Sequence, residues 1–200
     1  MLGRRVAGEE FLRGLLRHGD LGRLVGLVGS NTEAQAFRTQ MAELAPGVEP
    51  VVAGLEAPAA VAQAGTLFLP GPGLQPHAWW RRRIGDQRAF SLCGITHTTA
   101  TDRAMEGLAD LLIAPVQPWD ALICTSRAVH DMVRRVIEEH IHYLNARLGA
   151  TRFGVPALPV IPLGVDCAAF ARDPAAGGAP PARLRLPAGG GAGVGIGRPR

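Results

Sequence analysis

Thr96-His97-Thr98-Thr99 places one imidazole among three hydroxyls, directly after the apolar run from Phe90 to Ile95 and just ahead of Thr101-Asp102, where a helix can start. At such a junction side-chain hydroxyls and helix-end N–H groups converge on one point, which suits a polar ligand. The same residues also suit a histidine held by its neighbouring hydroxyls for structural reasons, and spacing does not choose between the two. A second cluster, Trp79-Trp80-Arg81-Arg82-Arg83, follows the turn Pro70-Gly71-Pro72-Gly73. It has the residue types of a basic aromatic patch for phosphate, nucleic acid or a headgroup surface. The favoured expectation is a surface helix whose tryptophans pack on a sheet and whose arginines are solvated, with His77 equally structural. His130, His140 and His142 share one long helical segment. None makes an i,i+4 pair backed by a third ligand, so no metal site is expected. Cys93, Cys124 and Cys167 are odd in number and widely spaced, and read as reduced thiols, mostly buried.

The elements that must position these groups centre on 119–166. Ala121–Cys124 is a short apolar strand ending in Thr125-Ser126, and Ser126 can cap the helix that follows. From there Val129, Met132, Val133, Val136, Ile137, Ile141, Leu144 and Leu148 form one helical stripe, and Gly149 supplies the stop. The chain returns through Phe153 to Pro159 into a buried strand, Val160–Asp166, which closes a βαβ unit. Upstream the rhythm repeats. A helix spans Val6–His18, a strand Leu24–Val28, and a helix capped by Asn31-Thr32 runs over Glu33–Leu44. Strands at Val51-Val52, Thr66–Leu69 and Phe90–Ile95 follow, with a helical turn at Pro58–Gln63 and a helix over Asp102–Ile113. The predicted fold class is α/β: a Rossmann-like parallel sheet flanked by helices, whose ligands lie outside the carboxyl ends of the strands.

A chain of 200 residues that is 47% apolar can bury one core, and one domain is expected over 1–170. From Asp173 the sequence is dominated by Gly, Ala, Pro and Arg, so 171–200 is expected to be a disordered tail. The net charge is +4, yet lysine is absent and all 21 basic residues are arginine. That pattern looks like coding bias as much as a basic surface, and no nucleic-acid role is expected. Arg4, Arg5, Glu9 and Glu10 stand where a signal peptide needs an apolar run, and no stretch is long enough to span a bilayer, so a cytoplasmic location is expected.

"WDALICTSRAV" followed by "LPVIPLGVDCAAF", together with "GITHTTAT" upstream, resembles the N-terminal domain of family-4 retaining glycosyltransferases of the GT-B fold. In that family a strand ending in serine precedes a helix, and a strand of isoleucine-proline-asparagine-glycine-valine-aspartate leads to a second domain. The resemblance covers roughly Val6 to Phe170. It implies transfer of a sugar, with retention, from a nucleotide-sugar donor to an acceptor whose identity stays open. It implies His97 as the catalytic residue beside the sugar, with Thr98, Thr99, Gly164 and Asp166 binding substrate, and no metal or cofactor. Leu163 departs from the family's asparagine. The family's C-terminal domain, which holds most of the donor site, has no counterpart in this sequence, and the tail resembles a garbled start of one, so a truncated enzyme is expected. Relatives that glycosylate lipids leave open, besides packing of the long helix entirely on the sheet, a peripheral membrane contact at its Arg134-Arg135 edge. The alternative is a non-catalytic Rossmann-like module binding a nucleotide or a protein partner.

Overall fold

The computed structural model describes residues 2–164, with side chains from residue 8 onward. Helices and strands alternate along it: α1 (Leu2–His18), β1 (Arg23–Leu27), α2 (Asn31–Leu44), β2 (Glu49–Ala53), α3 (Pro58–Ala64) and β3 (Thr66–Leu69). Then come α4 (Gln75–Arg83), β4 (Ser91–Thr96), α5 (Asp102–Asp110), β5 (Ala121–Cys124) and α6 (Arg127–Leu148). Every strand pairing among the described residues is parallel, so each return requires a crossover, and the intervening helices supply it. The chain is therefore α/β with parallel strands, although the strands form two sheets rather than the single one expected: β1-β2 and β3-β4-β5. The chain divides into two units, 1–163 and 164–200.

The core lies on the three-stranded sheet. Leu92 and Leu122 are fully buried, as are Leu74, Leu108 and Leu111 on the helical side, and Val133 and Ile137 of α6 complete the contact. β4 alternates half-buried and buried positions, while three of the four residues of β5 are buried, as befits a strand with neighbours on both sides. Gly94 in β4 has no room for a side chain, because a Cβ there would stand 2.6 Å from the Gly71 carbonyl oxygen and 2.7 Å from Leu74 Cδ2. The Pro70–Gly73 turn can thus fold back onto β4, where the Ile95 N–H donates to Gly71 O. At the other end of the chain order, Phe11 of α1 stacks on Phe68 of β3 with centroids 3.9 Å apart.

Helix ends follow local chemistry. The Ser126 hydroxyl accepts from Val129 N and caps α6, and Gly149 ends it in the left-handed conformation at φ 66°. For α2 the cap is Ser30, not Asn31-Thr32: its hydroxyl accepts from Glu33 N while the Glu33 carboxylate accepts from Gly29 N, a reciprocal arrangement in which serine precedes glutamate by three. α5 ends at Asp110 rather than Ile113, because Leu112 N and Ile113 N bond three residues back and tighten the apolar run into turns. Leu148, expected on the buried stripe of α6, is 70% exposed in the last turn. The buried strand expected at Val160–Asp166 does not form over its described part, where residues 161–164 are irregular and exposed. The chain instead pairs with β5 just before it, through isolated parallel bridges of Ala157 and Val160 with Ala121 and Cys124. Leu122 N and Cys124 N donate to Ala157 O and Pro159 O, and Ile161 N donates to Cys124 O. Asp166 lies outside the described residues, as does the expected tail.

The largest departure is on α4. Trp80 packs into the core and its indole N–H donates to Leu55 O, but Trp79 is 39% exposed and Arg81 is entirely buried. Leu74, Ala78 and Arg81 fall at i, i+4 and i+7, so the guanidinium sits on the inward stripe. It meets Asp120, also fully buried, through two parallel bonds of 2.7 Å, and Nη1 also donates to Phe90 O. The carboxylate accepts as well from the backbone N–H groups of Leu92 and Gln117, both at 2.8 Å. A buried charge pair survives only when its remaining valences are satisfied, and here the carboxylate receives four donors. Arg82 and Arg83, on the outer side, are solvated as expected.

Candidate functional site

Thr96, Cys124 and Val160 stand in register across neighbouring parallel segments, so the chain leaves the sheet at His97, Thr125 and Ile161 on one rim. This is the carboxyl end, where α5 and α6 also begin. Neighbouring strands lie about 4.8 Å apart, which brings the three exits within roughly 10 Å of one another.

Most hydroxyls at this rim are already engaged. Thr96 Oγ1 is buried and donates to Ile123 O at 2.9 Å, and Thr125 Oγ1 donates to Thr96 O at 2.9 Å, which stitches the ends of β4 and β5 together. Thr101 caps α5 by accepting from Ala104 N, and Ser126 caps α6. These four hydroxyls secure backbone. His97, Thr98 and Thr99 make no side-chain hydrogen bond among the described residues. His97 and Thr99 are half-buried, and Thr98 is exposed. The imidazole is therefore not held by the adjacent hydroxyls. Its backbone is fixed instead by the Thr96–Thr125 stitch one residue before it, and neither ring nitrogen is engaged among the described residues.

Of the other sequence candidates, Gly164 is exposed and opens the second unit, and no side-chain contact lies within 4 Å of where its Cβ would be. Asp166 and Cys167 lie outside the described residues. Burial pushes the thiols of Cys93 and Cys124 up from their ordinary value, which keeps them protonated and poorly nucleophilic. Burial likewise pushes the half-buried His77 down, favouring its neutral form. His130 Nδ1 lies 3.2 Å from Asp131 Oδ1, and His140 Nδ1 bonds Val136 O at 3.1 Å. Among the described residues no group of three or more His, Cys, Asp or Glu side chains could hold a metal ion, and no helix is long and apolar enough to cross a membrane.

Two surface depressions lie away from His97, one of about 680 Å³ along α2 and one of about 390 Å³ at the amino ends of β3 and β4. The Arg81–Asp120 pair is also at that amino end. Sequence reasoning passed over it because its partners are 39 positions apart, although the i, i+4, i+7 placement of Arg81 behind two apolar residues was a usable signal. No family model matches the chain, and no curated protein or solved structure matches it either.

Proposed function

We propose that this chain is the acceptor-side, Rossmann-like part of a retaining glycosyltransferase of the GT-B kind. The observation that carries the proposal is His97: a half-buried imidazole without a hydrogen-bond partner among the described residues, one position past β4, beside the Ser126-capped start of α6. The order of strand, His-Thr-Thr loop, helix, strand, serine cap and long helix supports it, as does the return of the chain alongside β5.

In this proposal His97 hydrogen-bonds a hydroxyl of the transferred sugar and positions the anomeric carbon, with Thr98 and Thr99 lining the same loop. Gly164 and Asp166 belong to the passage toward a donor-binding domain, which holds the nucleotide diphosphate. A retaining transfer passes through an oxocarbenium-like state. Its leaving diphosphate needs cationic or N–H stabilisation more than it needs a protein nucleophile, so an imidazole that orients the sugar is an adequate contribution from this side. Arg134 and Arg135, exposed on α6, support a peripheral contact with anionic lipid, which flotation of the protein with and without anionic vesicles tests.

The deciding experiment joins a donor-binding domain downstream and measures nucleotide diphosphate release and sugar transfer over a panel of nucleotide-sugars. Transfer is expected only with that domain present, and is expected to vanish in His97→Ala. Transfer that persists in His97→Ala removes His97 from the site. Binding of a nucleotide-sugar by the chain alone, with no transfer in the joined protein, favours the non-catalytic nucleotide-binding module instead.

A further inference from the structure

At the amino ends of the strands, opposite His97, Gly65, Arg88, Phe90, Ser91 and Trp119 line an open depression of about 390 Å³. Gly65 precedes β3, Ser91 opens β4 and Trp119 stands two residues before β5. Small-molecule sites occupy roughly 300–1,000 Å³, so the size suits a compact ligand.

The chemistry of the lining is specific. The Arg88 guanidinium lies over the Trp119 indole, 5.3 Å from its centroid, and pairs with no carboxylate among the described residues. Stacking fixes a guanidinium in position while its edge N–H groups stay free to donate, which is the arrangement that recognises a carboxylate or phosphate. Backbone geometry supports the same placement, since the Arg88 N–H donates to Asp86 Oδ1 at 2.8 Å. Trp119 is 42% exposed, whereas Phe90 is buried and forms a floor. The hydroxyls of Thr66 and Ser91 are 2.8 Å apart, and Ser91 also donates to Gly65 O, so they bond each other and the backbone. Among the described residues lining the depression, Arg88 is the one charged group.

The base of the depression is rigid. Phe90 gives its carbonyl to Arg81, Ser91 immediately precedes Leu92, whose N–H donates to Asp120, and Trp119 immediately precedes Asp120. Three of the five lining residues thus adjoin the buried Arg81–Asp120 lock. Ligand sites bind well when their supporting shell is ordered in advance.

We propose that this depression binds a small organic anion carrying a flat unsaturated ring, with the anionic group on Arg88 and the ring against Trp119 and Phe90. The shared chemistry is met by an aromatic carboxylate and by a nucleoside monophosphate. The proposal is independent of the glycosyltransferase reading, because no residue of the His97 rim takes part.

The test is calorimetric titration of the full chain with benzoate and with adenosine 5′-monophosphate, alongside inorganic phosphate and adenosine as half-ligands. One or both whole ligands should bind, and which one binds distinguishes the two sources. Hydrogen bonds to a charged group justify an expected weakening of about tenfold or more in Arg88→Gln. Trp119→Leu should weaken binding to a similar extent, whereas Arg83→Gln, on the exposed end of α4, and His97→Ala should leave it unchanged. Both Arg88 and Trp119 are partly or fully exposed, so thermal melts of the variants should match the parent and show that lost binding is local. The proposal is overturned if neither ligand binds at millimolar concentration, if binding survives both substitutions, or if inorganic phosphate alone binds as tightly as the whole ligands.

Discussion

The two ends of the same three strands treat polar groups in opposite ways. At the amino end Arg81 and Asp120 are completely buried, and the carboxylate accepts two guanidinium N–H groups and two backbone N–H groups. At the carboxyl end four hydroxyls secure backbone, yet His97, Thr98 and Thr99 bond to nothing among the described residues. The Asp120 carboxylate, which holds the fold together, has all four of its donors in place, although Arg81 Nε is buried without a partner among the described residues. A side chain kept for a ligand stands with its valences open on a framework that others have made rigid. The buried pair at the amino end serves stability, and the unengaged side chains at the carboxyl end are what the proposed sugar site requires.

That contrast is most exposed to attack at Asp120. Asp120→Ala strands a buried guanidinium and two backbone N–H groups, and should cost about 3–5 kcal/mol in urea unfolding. Adding Arg81→Met should recover part of that loss, because the second change removes the uncompensated charge. A fully additive double variant would show that the two groups do not act as a pair. Gly94→Ala comes next: the Gly71 carbonyl and the Leu74 side chain must move, and a destabilisation of about 1–3 kcal/mol is expected from the same measurement. Ser126→Ala removes the α6 cap and should cost about 1 kcal/mol, visible as a shift of the urea midpoint at unchanged slope.

A smaller effect concerns pH. Burial lowers the folded-state pKa of His77 below its unfolded value of 6.5. Between those two values the unfolded chain binds the extra proton, so stability is retained above about 6.5 and falls as pH drops below it. His77→Gln should therefore flatten the acid side of the stability profile below about pH 6.5. If the parent and variant profiles stay parallel, the burial of His77 has no titration consequence. The smallest expected effect on stability is that of His97→Ala, within about 0.5 kcal/mol of the parent, since the ring makes no hydrogen bond among the described residues. A large destabilisation there would return His97 to the structural side of the comparison.

Much of the fold was legible in the residue order because its causes are local. Val133, Ile137 and Leu144 lie on the stripe that helical spacing defines, and Ser126 and Gly149 bound α6 as their side-chain chemistry requires. The errors also have local causes. Asn31-Thr32 offered two plausible caps where Ser30, three before Glu33, is the one used, and the apolar run past Asp110 continued in spacing while its hydrogen bonds tightened. For the candidate site, the sequence located the His97 loop at a strand end but could not say which of six nearby hydroxyls would be engaged. That depends on the register of β4 against β5, which brings Thr96 and Thr125 within bonding distance across 29 positions.

Hydrophobic periodicity, caps and glycine stops determined the alternation of helices and parallel strands, because each acts over a few residues and is written in their order. Only the tertiary structure decided that the strands separate into β1-β2 and β3-β4-β5, that Arg81 turns inward to Asp120, and that the His97 ring makes no hydrogen bond among the described residues. These outcomes depend on which distant segments meet. A guanidinium enters an apolar core only where a carboxylate from another loop arrives to meet it, and no spacing within either segment records that meeting.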